Sequence, residues 1–119
     1  MKPCLINKPD LTVISPSPSA SNAYLQFVIL ADSVASIDIT PVTDPTMKVD
    51  NLPVVTSLSI TIAGKVGSSA YSDSITLQGE SVFSTINNQS LILQGQVGNG
   101  VAGSTVTVTS CGQTSVLVE

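Results

Sequence analysis

The residues of this chain that could do chemistry are few and widely spaced. The 119 residues include eight acids, and no two of them have a spacing that indicates a general acid and a general base. The lack of His excludes histidine acid–base catalysis, Ser-His-Asp and Cys-His nucleophiles and histidine metal ligands. We therefore predict that the protein is not an enzyme and holds no cofactor or metal. The acids are Asp10, Asp32, Asp38, Asp44, Asp50, Asp73, Glu80 and Glu119.

Three short segments carry part of a binding motif but lack what its chemistry requires. Residues 44–50 (DPTMKVD) lack the alternating acids and the central glycine of a calcium loop. Residues 95–103 (GQVGNGVAG) are rich in glycine but contain no GK[ST], so a turn explains them better than a phosphate loop. Asn88, Gln89 and Ser90 fit the glycosylation triplet, which has a meaning only in a secreted chain.

The two cysteines, Cys4 and Cys111, lie near opposite ends of the sequence. A bond between them would close a loop of about a hundred residues, which stabilises by about 4 to 5 kcal/mol in the chain-entropy model. The opening residues are broken by four prolines and lack the apolar stretch of a secretory signal, so we expect synthesis in the cytosol. Because cytosolic chains rarely keep disulfides, we predict two buried or half-buried thiols, with the disulfide as the alternative.

Ionic side chains are scarce, which limits the class of partner. The chain has four Lys and no Arg, and its formal net charge is -4. A nucleic-acid-binding protein neutralises phosphates with cations and often stacks bases on aromatic rings, and this chain has few of either. The longest apolar stretch, residues 23–31, is too short to span a bilayer. We predict neither nucleic acid nor a membrane as a partner.

Hydroxyl groups take the place of the missing charges. Charged residues make up 10% of the chain, against about 25% in an ordinary soluble domain. The sequence contains 18 Ser and 12 Thr, and its mean hydropathy is +0.40. Small neutral side chains lose little entropy when they are ordered against a neighbour. We therefore expect other protein subunits to cover much of the surface.

The leader differs in composition from the rest of the chain. Residues 1–21 contain four prolines and the run SPSPSAS, which predicts an extended N-terminal arm. Within it, Leu11, Val13 and Ile14 resemble a short strand that would pair with a neighbour's sheet or with the chain's own sheet. These three are our candidate assembly residues. We expect deletion of residues 1–20 to leave the fold intact and to abolish attachment to a partner.

Residues 22–119 have the pattern of a single β domain. Val, Ile and Thr account for 37 residues of the chain, and no window has a helical apolar period. We interpret residues 23–31 as a central strand that is buried on both faces. Residues 34–40 alternate, with Ile37 and Ile39 inward and Asp38 outward, and the prolines after them predict a loop.

Two hairpins are predicted from turn signals. Folding at Gly67-Ser68, which has the form of a type II′ turn, brings apolar residues opposite apolar ones and hydroxyls opposite hydroxyls. The pairs are Leu58 with Leu77, Ile60 with Ile75, Ser59 with Thr76 and Thr61 with Ser74, while Ile62 meets Asp73 as a misfit and Gly64 meets Tyr71. Folding at Asn99-Gly100, a type I′ signal, sets Leu93 against Val106, Leu91 against Val108 and Val97 against Ala102.

Three threonines form a row on one face of the last long strand. Thr105, Thr107 and Thr109 alternate with apolar residues, so their hydroxyls share a face. An ice-binding surface would need several stacked rows of this kind. We therefore interpret the strand as facing solvent or another subunit.

These observations predict an all-β fold, an antiparallel β-sandwich or barrel of Ig-like or jelly-roll-like type. About seven to nine short strands would make up the single domain over residues 22–119, with the extended arm over residues 1–21 before it. A fold of this kind hosts many functions, so the function has to be argued from the surface and the arm.

The surface and the arm indicate a structural accessory protein of an assembled particle. In general character the chain resembles the capsid cement or decoration proteins of tailed viruses, which are small and β-rich and have an extended N-terminal arm. The resemblance implies a place on the capsid surface of the virion after synthesis in the host cytoplasm. It also implies that the major shell protein, or copies of the chain itself in a homo-oligomer, are the partners. The alternative is an Ig-like binding or adhesion module of a tail fibre or cell-surface protein, which would be extracellular.

Overall fold

The chain forms β-strands and no helix in the part that the structure, a computed structural model, describes: residues 2–79 and 90–118. All strand pairs are antiparallel, which confirms the predicted all-β antiparallel fold. The strands are β1 (Lys2–Pro3), β2 (Leu25–Val28), β3 (Ser33–Val49), β4 (Leu52–Val66), β5 (Ser69–Gln78), β6 (Val97–Asn99), β7 (Thr105–Val108) and β8 (Leu117–Val118).

Two three-stranded sheets pack face to face. Sheet I has the order β3-β4-β5, sheet II has the order β2-β7-β6, and β1 pairs with β8 in a separate ribbon. The inner faces share one apolar core, to which sheet I contributes Ile60 and sheet II contributes Phe27. Gly98 on β6 permits close packing, because a Cβ there would lie 2.8 Å from the Leu77 side chain of β5. This arrangement is that of a β-sandwich, although three strands in each sheet do not confirm an Ig-like or jelly-roll-like type.

The hairpin predicted at Gly67-Ser68 is confirmed in every pair. Leu58 lies opposite Leu77 and Ile60 opposite Ile75, and the predicted hydroxyl pairs lie on the other face. Gly67 has a φ of 59°, as the first central position of a type II′ turn requires. The register was predictable because a slip of one residue would have exchanged the buried and exposed faces.

The register predicted at Asn99-Gly100 is wrong. β6 and β7 do pair, but Val97 lies opposite Thr107 and Asn99 opposite Thr105, so the connection is the five-residue loop 100–104. A type I′ turn needs a positive φ at both central residues, and here the loop's positive φ is at Gly103. The loop is wider than predicted because its backbone surrounds a buried carboxylate, described below.

The stretch 23–31 is not a central strand. Its regular part is β2, which lies at the edge of sheet II beside β7. Side chains alternate along it, so that Leu25 and Phe27 are buried while Gln26 and Val28 are exposed. The apolar run had suggested burial on both faces, but Val28 belongs to the outer surface of the sandwich.

Strand β3 is longer than the sequence indicated. A loop was predicted at Pro41 and Pro45, but the strand continues through both to Val49. The pairing of β3 with β4 shifts register at three points. A proline is tolerated at a sheet edge because its nitrogen, which has no hydrogen to donate, can face away from the neighbouring strand. The β3–β4 hairpin closes at Asp50 and Asn51, whose φ values of 53° and 66° are those of a type I′ turn.

An N-terminal arm that extends from the domain is not confirmed. Leu5 and Ile6 are fully buried, and the Leu5 carbonyl accepts a 2.9 Å hydrogen bond from the Val55 N–H while the Leu5 N–H donates to the Ile92 carbonyl at 2.9 Å. The N-terminal residues thus lie between β4 and the segment after residue 90. A second apolar cluster forms around them at the end of the β3–β4 hairpin, and its buried members are Cys4, Ile6, Val49, Val54 and Leu91.

Candidate functional site

The three candidate assembly residues do not share one exposed surface. Leu11 is fully buried in the main core, and Ile14 is partly buried against it. Val13 is 67% exposed. The backbone at residues 9–12 forms turns rather than the predicted strand. Only Val13 of the three therefore presents most of its side chain to a partner.

The outer face of sheet I, defined here by twelve side chains, is a regular array of small neutral groups. Four positions from each strand align in rows, because paired residues of antiparallel strands point to the same side. Eight of the twelve side chains carry a hydroxyl, and Asp38 is the one ionic group among them, while the exposed Lys65 lies beyond them, opposite Ser33 and Ala70. The rows are Ser36-Ala63-Ser72, Asp38-Thr61-Ser74, Thr40-Ser59-Thr76 and Val42-Ser57-Gln78.

The outer face of sheet II carries no charge along the three paired strands. Its rows are Gln26-Thr107-Val97 and Val28-Thr105-Asn99. Val28 is 57% exposed and Val97 is 49% exposed, and Leu30 just beyond β2 is 56% exposed. The predicted threonine row lies on this face, with Thr105 and Thr107 half-buried, each between one valine and one side-chain amide.

The outer edge of β3 is unpaired among the residues that the structure describes. Sheet I places β3 beside β4 alone. Between two register shifts, residues 36–42 keep one regular pairing with β4, from Ser36 opposite Ala63 to Val42 opposite Ser57. A straight run of this length with free backbone groups can accept another strand.

Asp73, the misfit in the sequence pairing, is a buried carboxylate with four hydrogen-bond donors. It faces the core opposite Ile62 and is 3% exposed. The backbone N–H groups of Ala102 and Ser104 donate to it at 2.9 Å each. The Ser74 N–H donates at 2.8 Å and the Tyr71 hydroxyl at 3.0 Å. The loop 100–104 is therefore held against β5 by one carboxylate.

Burial and hydrogen bonding act on the pKa of Asp73 in opposite directions. Desolvation by burial raises the pKa, and the hydrogen bonds from Ala102, Ser104 and Ser74 lower it. The hydrogen bonds outweigh burial, so the pKa lies below its ordinary value of 3.8 and the group is ionised at neutral pH. Gly100 is required here because a Cβ would lie 2.4 Å from the Asp73 carboxylate oxygens. The group is enclosed and fully partnered, which indicates a structural role.

The cysteines are two buried free thiols, as predicted. The Cys111 thiol donates to the Pro3 carbonyl at 3.2 Å, and the Gln113 side-chain amide donates to the Cys4 carbonyl at 2.9 Å. Burial, with a smaller contribution from Cys4, raises the pKa of Cys111 to about 12. Because the thiolate is the nucleophile and metal ligand, both groups are poorly suited to either chemistry at neutral pH.

A shallow groove of about 390 Å³ lies beside Lys2 and Gly95. Its walls include Gln94, Gln96 and the exposed Val97, and Lys2 is its one charged group among the lining residues. The Gln96 amide is already engaged, since it donates to the Gln78 carbonyl and accepts from the Leu93 N–H. The groove can contact an anionic or amide group, but it offers no acid–base pair.

Residues 2–79 and 90–118 contain no group of three Cys, Asp or Glu side chains that could hold a metal ion. Nor do they contain a helix long and apolar enough to cross a membrane. Phe83, Glu80, Glu119 and most of the Asn88-Gln89-Ser90 triplet lie outside the described residues.

No protein-family model, curated protein or solved structure compared with the chain matches it.

Proposed function

We propose that this protein is a structural accessory component of an assembled particle, in which it lies between protein subunits and holds them together. The observation that carries the proposal is the outer face of sheet I, where twelve aligned side chains include a single ionic group. Burying a charge in an interface is costly unless it is paired, and the buried centres of interfaces are accordingly poor in charged residues. A face with almost no charges can be covered by another protein at little desolvation cost.

The position of the two outer faces supports a bridging role. The sheets of a sandwich expose opposite surfaces, so the uncharged face of sheet II points away from that of sheet I. Val28, Leu30 and Val97 add exposed apolar area on the sheet II side. One copy can therefore contact two neighbours at once, each through a surface that repels other protein weakly.

The most concrete form of this proposal is a capsid cement or decoration protein of a tailed virus. Such a protein would sit on the capsid surface and contact the major shell protein, copies of itself, or both. Each copy would contribute a modest contact, and many symmetric copies together would stabilise the shell. The apolar exposed side chains, rather than a free N-terminal arm, would provide these contacts.

Co-sedimentation with particles tests the proposal. Virions or other protein shells are purified from the cells that express the chain and are pelleted with added wild-type protein. We expect a saturable, fixed stoichiometry. Thr76→Lys on sheet I and Thr107→Lys on sheet II place an unpaired charge in each outer face, and we expect each to weaken binding by tenfold or more. Ser68→Lys, in the exposed β4–β5 turn, is the matched control and should bind like the wild type.

Two results would overturn this assignment. If wild-type protein stays in the supernatant with every particle fraction, the proposed role in assembly is wrong. Equal binding of Thr76→Lys, Thr107→Lys and wild type would show that neither outer face is an interface. Binding of a monomer to an immobilised glycan would instead support the adhesion module.

A further inference from the structure

Each sheet of the sandwich ends in two edge strands, and β3 is the one with a long regular outer edge that makes no hydrogen bond to the other described residues. The edge strand β6 of sheet II has three residues. Residues near Pro18 and Ala20 cover the edge of β2, since their carbonyls accept from Ile29 and Phe27 at 3.0 and 2.9 Å. The edge of β5 is covered by the loop 100–104, whose Val101 N–H donates to the β5 backbone at 3.2 Å. In the described residues, nothing pairs with the outer edge of β3, which is regular over residues 36–42.

The hydrogen-bonding direction of β3 follows from the strands beside it. Ser74 of β5 accepts from Val101 and therefore directs its backbone groups away from β4. Thr61 of β4, opposite Ser74, then directs its groups toward β3, where it bonds Asp38. Successive residues of a strand alternate in this direction. The N–H and C=O groups of Ile37 and Ile39, on either side of Asp38, consequently point outward.

Two further observations agree with this assignment. Pro41 has the same parity as Ile37 and Ile39, and a proline at a sheet edge directs its nitrogen away from the neighbouring strand. The Val42 carbonyl, of the opposite parity, accepts from the Thr56 hydroxyl of β4 at 3.2 Å. The open edge thus offers both backbone groups of Ile37 and Ile39, and the carbonyl of Pro41.

A second copy of the chain fits this edge poorly. In an antiparallel pair that matches Ile37 with Ile39 of the other copy, Asp38 faces Asp38 at a Cα separation of about 4.5 Å, and the like charges repel. A shift by two residues matches Ile37 with Pro41, where the proline supplies no N–H and its ring meets the opposing carbonyl. Charges and prolines of this kind are known devices against edge-to-edge aggregation.

We propose that the β3 edge accepts a strand from a protein other than its own copy, and that this strand carries a Lys or Arg opposite Asp38. The inference rests on the proposed role in assembly and names how one partner would be recognised. Asp38 is the single ionic group of the sheet I outer face, so a cation across from it completes the pair without adding net charge to the interface. Backbone hydrogen bonds to Ile37 and Ile39 supply affinity, and Asp38 sets register and partner.

Two synthetic strands and one charge reversal test the proposal on the pure protein. The probes are nine-residue peptides of alternating Thr and Val, capped at both ends, with Lys at the centre of one and Glu at the centre of the other. We expect the Lys peptide to bind roughly tenfold more tightly than the Glu peptide, because an opposite-charge pair replaces a like-charge pair. Asp38→Lys should reverse the preference. Slower hydrogen exchange of the Ile37 and Ile39 amides should accompany binding.

The outcomes separate this inference from the proposed function. No binding by either peptide, equal binding by both, or binding that leaves the exchange of Ile37 and Ile39 unchanged would overturn the strand acceptor. So would wild-type self-association that protects these two amides. None of these results depends on particles, so the outer faces could still bind a shell if the β3 edge accepted no strand. Circular dichroism of Asp38→Lys establishes that the variant is folded.

Discussion

At the scale of single residues, Asp73 joins parts of the chain that are distant in sequence. Its carboxylate takes hydrogen bonds from Ala102 and Ser104 in the loop between β6 and β7, while Asp73 itself belongs to β5. The Ser104 hydroxyl accepts from the Leu30 N–H at 3.3 Å and also contacts the Tyr71 hydroxyl. Asp73 of sheet I is therefore bonded directly to the β6–β7 loop of sheet II. Through Ser104 it is also linked to Leu30, which follows β2.

Asp73→Ala tests how much this hydrogen-bonded cluster contributes to the free energy of unfolding. The substitution leaves several buried donors without an acceptor, and each costs about 1 to 3 kcal/mol when it is unsatisfied. We expect the free energy of unfolding to fall by about 3 kcal/mol in urea denaturation. Asp38→Ala removes an exposed acid from the same sheet and should change it by no more than about 0.5 kcal/mol. Similar losses in the two variants would contradict the structural role of Asp73.

The lowered pKa of Asp73 also predicts how stability depends on pH. A group whose pKa is lower in the folded state stabilises the fold above its unfolded pKa, and this stabilisation is lost as pH falls through the folded pKa. The ordinary value is 3.8, so the loss belongs below about pH 4. We expect the stability difference between wild type and Asp73→Asn to be constant from pH 5 to 7 and to narrow below pH 4. Urea denaturation over this range measures it, and a constant difference down to pH 2.5 would be inconsistent with a lowered pKa.

At the scale of elements, the two hairpins show what a sequence pattern can predict. The β4–β5 hairpin depends on alternation and a local turn, and its register was predictable residue by residue. The β6–β7 hairpin depends on Asp73, more than twenty residues away, which holds the loop 100–104 open. The pairing of Asp73 with Ile62 had already marked an unexplained polar residue on an apolar face. A turn signal alone could not reveal which distant backbone would satisfy it.

Two residues of the open β3 edge limit self-association of the chain. Asp38 and Pro41 each oppose a different register of pairing between two copies, so removal of either residue opens one register. We expect Asp38→Thr and Pro41→Thr each to form edge-to-edge dimers weakly, because the first removes the charge and the second restores an N–H, and the double variant to associate most strongly. Sedimentation velocity at a series of concentrations measures this. Thr76→Ser, on β5 and away from this edge, is the control and should sediment like the wild type, and a double variant that does so as well would count against the proposed edge geometry.

At the scale of the whole molecule, the N-terminal segment is part of the body, so the chain is not an arm attached to a domain. Leu5 lies between Val55 and Ile92, and the Tyr24 hydroxyl donates to Asp10 at 2.8 Å. Prolines restrict the backbone locally, but local restriction does not decide whether a segment is detached from a domain. A segment stays attached when its apolar residues are buried in a core. Here the core residues that pack with Leu5 include Ile92 and Cys111, which lie far along the sequence.

Because the N-terminal segment packs into the core, we no longer expect that residues 1–20 can be removed without loss of the fold. Leu11→Ala empties a fully buried position and should cost about 2 to 5 kcal/mol, whereas Val13→Ala at a 67% exposed position should cost no more than about 0.5 kcal/mol. Deletion of residues 1–20 also removes Leu5 and Ile6 from two apolar clusters, so we expect a chain without a cooperative unfolding transition. Urea denaturation followed by circular dichroism measures all three. A truncated chain that unfolds cooperatively near the wild-type midpoint would show that the segment is a separable arm, and would return Leu11, Val13 and Ile14 to the assembly surface.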